Sequence, residues 1–117
     1  MTLALLRTLL DGVLPGKVAY YAFPEGEAKP LPFICYYSTG SDNFGADNVV
    51  FHSNTPVRIE LYEKTKDFTL PNQPITLEKQ LEDALTASSL FWEREETYVE
   101  SERCFLIIYE VTLNGRK

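Results

Sequence analysis

Few side chains in this chain could do chemistry near neutral pH. His52 is the single histidine, and Cys35 and Cys104 are the two cysteines. A general base or imidazole metal ligand would have to be His52. A nucleophilic triad needs that histidine beside a nucleophile and an orienting acid. Ser38, Ser41 and Ser53 are at hand, but none sits in a G-x-S-x-G elbow. His52 therefore reads as a strand-end surface or interface residue. Zinc-type ligation asks for three or four His and Cys at set spacing, which one His and two distant Cys do not supply. Asp42, Asn43, Asp47 and Asn48 offer oxygen donors. They lack the D-x-[DN]-x-[DN]-G pattern and following Glu of a calcium loop, and Asx-rich loops form turns for backbone reasons. Gly12 and Gly16 lead into a strand-like segment, where a phosphate loop or dinucleotide fingerprint leads into a helix. No catalytic residue, metal or cofactor is expected.

The carboxylates are more informative. Glu93, Glu95, Glu96, Glu100 and Glu102 crowd one short stretch, with Arg94 and Arg103 among them. A glycosidase pair would need a cleft and one raised pKa. The interleaved arginines instead fit a solvated strand face or one side of an electrostatic interface. Residues 76–110 hold nine acids and three bases, a balance of −6 that equals the net charge of all 117 residues. Such an excess argues against non-specific binding of nucleic acid through a basic face. It suits a surface that meets a basic partner, or one that lines a passage to which DNA does not stick.

These residues need elements to hold them. Leu3, Leu5, Leu6, Leu9, Leu10 and Val13 fall within an arc of roughly 160° at helical spacing. The spacing predicts a helix over 2–12, capped by Thr2 and ended by Gly12 and Pro15. Residues 18–23 and 32–38 read as strands, the second apolar throughout and so buried on both faces. Residues 24–30 and 39–48 read as loops, the latter with Phe44 at its middle. Residues 49–52 and 56–63 read as two strands joined through Ser53-Asn54-Thr55, the second with one wet face. Residues 64–75 form a connection. Residues 76–88 form an amphipathic helix, with Leu77, Leu81, Ala84 and Leu85 inward, Glu78, Lys79, Glu82 and Asp83 to water, and Thr76 as N-cap. Residues 90–100 and 104–113 close the chain as two strands, the last central in the sheet, followed by a frayed tail at 114–117. The expectation is one α+β domain over 1–117. Its order is α-β-β-β-β-α-β-β, a mostly antiparallel sheet of five to six strands packed by two helices. Cys35 and Cys104, each in an apolar run, read as buried free thiols. No apolar run is long enough for a membrane-spanning helix. The N-terminus carries no basic region or cleavage site, so synthesis in the cytosol is expected.

The order and spacing also resemble a known group. The segments "PLPFICYYSTGSDNFGADNVVFHS", "VRIELYEKTKD", "TLEKQLEDAL" and "FWEREETYVESERCFLIIYEVTL" look like those of the tail terminator, or tail completion, family of long-tailed bacteriophages and prophages. The resemblance implies a non-enzymatic virion protein, assembled in the bacterial cytoplasm and found in the tail or neck. It implies a homo-oligomeric ring, a hexamer, that caps the tail tube, touches the tube protein and the head–tail connectors, and lets DNA pass. On this reading the Asp42–Asp47 loop (Asp42, Asn43, Phe44 and Asp47) makes a subunit or tube contact. Glu93, Glu95 and Glu96 form a ring or channel face. Two other readings stand beside it: a head-side connector or stopper of the neck, and a small ligand-binding or enzymatic α+β domain using His52 and the Asp42–Asp47 loop.

Overall fold

The periodicity of the first eleven helical residues sets the first layer. In a computed structural model, which describes residues 1–24, 26, 30–40, 52–64 and 76–116 (backbone alone at 52–53, 76 and 114–116), helix α1 runs Leu3–Val13. Thr2 caps it, its hydroxyl oxygen accepting the Leu5 N–H at 3.1 Å, which satisfies one of the orphan donors of the first turn. Leu6 and Leu10 are fully buried, and Leu3, Leu9 and Val13 pack partly against them. Leu5 is the exception, 57% exposed. An arc of 160° is wider than the strip one helix can press onto a sheet.

The described strands are β1 (Val18–Tyr20), β2 (Phe33–Ser38), β3 (His52–Glu63), β4 (Trp92–Val99) and β5 (Cys104–Arg116), with helix α2 (Thr76–Ala87) between β3 and β4. They form one five-stranded mixed sheet in the order β1-β2-β3-β5-β4. β1 runs parallel to β2, and the other three pairings are antiparallel. The protein is α+β, and the described chain reads α-β-β-β-α-β-β.

The order thus differs from the expected one at a single place. Ser53, Asn54 and Thr55 do not connect two strands. They lie inside β3, paired with Gly115, Asn114 and Leu113. The same ladder carries β5 to Arg116, so the segment expected to fray is sheet as far as Arg116. Each corrects the other: a polar triplet stays extended because a neighbouring strand satisfies its backbone groups. β5 lies between β3 and β4, interior as expected, with Ile107, Tyr109 and Val111 buried on one face and Cys104 and Ile108 on the other.

Val18, Ile34, Tyr36, Val57, Ile59, Leu61, Ile107, Tyr109, Val111 and Leu113 give the sheet one apolar face. Leu6 and Leu10 of α1 and Leu81 and Leu85 of α2 close on it, and these residues belong to one buried cluster. The alternation in β3 holds: Val57, Ile59 and Leu61 are buried. Its second face is only partly wet, however, with Arg58, Glu60 and Tyr62 half-buried. The Glu60 side chain is only 12% exposed and pairs with Arg58 at 3.1 Å, an ion pair without hydrogen-bond alignment. It also accepts the hydroxyls of Tyr62 (2.8 Å) and Tyr37 (3.2 Å). No helix among the described residues is long and apolar enough to cross a membrane.

Candidate functional site

Of the residues singled out above, Asp42, Asn43, Phe44 and Asp47 lie outside the described residues. His52 begins β3, with its backbone opposite Arg116. Its side chain, like the pocket expected around it, lies outside the description. Glu93, Glu95 and Glu96 all lie on β4, an edge strand of the described sheet. Side chains alternate along a strand, so the three do not share a face. Glu93 and Glu95 stand on the face opposite the helices, where Glu93 is directly across from Glu110 and Glu95 from Ile108. Like charges directly opposite each other repel, which suits a surface completed by a cation.

Glu96 points the other way, into a polar cluster that the sequence reading missed. Arg94 reaches Glu78 Oε1 and Glu96 Oε1 at 2.5 Å each, and its Nε lies 3.7 Å from Glu82 Oε2. Tyr109 donates its hydroxyl to Glu82 at 2.7 Å. Glu78 is therefore not on the wet side of α2: it is 4% exposed. Glu82 is also turned inward, its side chain 26% exposed. Burial alone would favour a neutral Arg94, but the hydrogen bonds it donates to Glu78 and Glu96 outweigh it and hold the guanidinium charged. The cluster ties α2 to β4 and β5.

The turn from α2 to β4 explains the most exposed feature nearby. Ser89 takes a left-handed φ of 61°, and Leu90 N–H returns to Leu85 O at 3.0 Å, which closes the helix end as a left-handed cap does. Leu90 is thereby turned inward and Phe91 outward, 96% exposed. Phe91 rims an open hollow of about 480 Å³ with Thr86, Ser89, Leu90 and Trp92. A second hollow of about 340 Å³ adjoins Glu93, Glu110 and Thr112. The signal in the sequence was the run Leu90-Phe91-Trp92: three successive apolar residues entering a strand cannot all point inward.

At the opposite edge β1 carries Tyr20, 41% exposed, and Tyr21 follows, 61% exposed with a φ of 68°. The Tyr21 ring stacks on Tyr37 at 4.9 Å. Among the described residues, five large hydrophobic side chains stand out as exposed, and four of them (Tyr20, Tyr21, Phe91 and Tyr98) lie on or beside the two edge strands.

Cys35 and Cys104 are free and buried, as expected. Burial, with Glu60 nearby, pushes the Cys35 thiol up from about 9 to about 11. A thiol raised on folding favours the folded chain below its unfolded pKa and loses that contribution as pH climbs through its folded one. Stability is therefore expected to fall between pH 9 and 11, and a Cys35→Ala variant to fall less over that window in urea titrations. A thiol reagent at pH 8 should modify Cys35 only as fast as the chain unfolds.

Comparison with known proteins yields no match to any family model and no significant match to a curated protein.

Proposed function

We propose that this chain is a non-enzymatic structural protein of a bacteriophage virion, a ring-forming protein of the tail-terminator kind that caps the tail tube and joins tail to head. The family resemblance of the segments quoted above suggests the setting. The observation that carries the reading is the placement of exposed apolar side chains: four of the five large ones flank the two edges of the described sheet. Unpaired edges with apolar rims are surfaces that proteins normally cover, and opposite edges on one subunit suit a ring. The Arg94 and Glu60 clusters tie elements of the fold together, as polar groups in a scaffold do. Glu93 and Glu95 are among the exposed acids that could face a partner or a channel.

Size-exclusion chromatography with light scattering, followed by negative-stain microscopy, tests this. The expected result is a closed ring of about six copies with a central opening. A chain that stays monomeric at every concentration, with and without tail tube protein, overturns it.

A further inference from the structure

We infer that β4 of one copy pairs antiparallel with β1 of a second copy, so that the sheet continues from subunit to subunit. The inference rests on the assembly reading above and names its interface.

The backbone supplies the first argument. Ile34 N–H donates to Lys17 O and Tyr21 N–H to Tyr36 O, each at 2.9 Å. In a parallel ladder the engaged residues alternate, so Val18 and Tyr20 direct their N–H groups away from β2. At the far side β4 pairs only with β5 among the described strands, so its alternate N–H and C=O groups also face outward. Outward-facing backbone groups thus lie at both ends of the described sheet, and on β1 one of them, Tyr20 C=O, already accepts the Ala22 N–H at 2.8 Å.

Strand direction supplies the second. β1 and β2 run one way, β3 the opposite way, β5 with β2, and β4 against β5. β4 is therefore antiparallel to β1. A rotation about an axis along the strands preserves those directions and brings β4 of one copy beside β1 of the next as an antiparallel pair.

Charge selects the occupant. β4 carries Glu93, Glu95 and Glu96 against Arg94, while Lys17 is the only charged residue between Leu14 and Phe23. Two copies meeting β4 to β4 would set these acids against themselves, which is repulsive. Two meeting β1 to β1 would share only three residues a side. β4 against β1 brings acids to a lysine and Phe91 and Tyr98 toward the edge that holds Tyr20 and Tyr21. A contact between two different edges repeats, and closes a ring or extends a filament.

Two variants of the full chain test this, with far-UV circular dichroism to show that both fold. Lys17→Glu with Tyr21→Asp blocks the β1 edge, at exposed or half-exposed positions and with a residue tolerant of left-handed backbone. Phe91→Lys with Glu95→Lys blocks the β4 edge. By light scattering each variant alone should be a monomer, and an equimolar mixture should give a 1:1 dimer and nothing larger, because one intact junction remains. If the β1 variant alone dimerises, the junction is β4 to β4 and the inference falls. If both variants assemble as the wild type does, the interface lies elsewhere and the inference falls while the ring stands. A monomeric wild type removes both.

Discussion

Replacing Tyr109 with alanine is expected to cost about 4 kcal/mol of folding stability, the largest loss for any single side chain described, because it empties a large site in a close-packed interior. Tyr109 is fully buried in the cluster that joins both helices to the sheet. Its ring meets the Trp92 indole edge-to-face at 5.6 Å, and Ile59 and Arg94 are its neighbours across the sheet. Tyr109→Phe keeps that volume and removes only the hydroxyl that Glu82 accepts. Since Glu82 also faces Arg94, the loss there should be about 1 kcal/mol. Burial and the Glu82 hydrogen bond both push the Tyr109 phenol well above its ordinary value, so the hydroxyl stays protonated across the working range. Urea unfolding of the two variants separates packing from hydrogen bonding by their difference. Domains have stabilities of about 5–15 kcal/mol, so a loss of this size removes roughly a quarter to four-fifths of the total. Phe91→Ala, at a side chain that is 96% exposed, should change stability by less than about 0.5 kcal/mol. Equal costs for Tyr109→Ala and Tyr109→Phe would show that the hydrogen bond, and not the ring, holds this part of the core.

Much of this fold was legible because its strongest signals are local. Leu6 and Leu10 one turn apart, Val57-Ile59-Leu61 at period two and the two-sided apolar run in β5 all record a buried face directly in the sequence, and all are buried except Phe105 and Leu106, which are half-buried. What was misread depends on partners far away in sequence. Ser53, Asn54 and Thr55 favour turns by themselves, but residues 113–115 lie beside them, and strand formation is decided by the neighbour more than by intrinsic preference. Glu78 falls at a helix position that looks solvated. It is buried because Arg94, sixteen residues later, reaches it from β4, and no helical period contains that information. The candidate site divides in the same manner. The acidity of β4 was plain, and strand alternation alone separates Glu96 from Glu93 and Glu95. That Phe91 stands outside the core depends on the left-handed turn at Ser89, a conformation that serine signals weakly.

Replacing Arg94 with alanine should cost about 2–3 kcal/mol at pH 7, second only to the Tyr109 cavity. One guanidinium, its side chain 31% exposed, serves Glu78, Glu82 and Glu96. Removing it leaves three carboxylates near one another, one of them 4% exposed, without the cation that offsets their repulsion. Breaking a fully buried ion pair costs about 3–5 kcal/mol, and the partial exposure of Arg94 places this case lower. Arg94→Lys should recover only part of the loss, since a single ammonium cannot span partners that a planar fork of five N–H donors reaches together. Added salt should narrow the deficit only in part, because a partly buried cluster is screened less than a surface one. Were the Arg94→Ala midpoint in urea to match the wild type at pH 7, α2 would be held to the sheet by Leu81 and Leu85 alone.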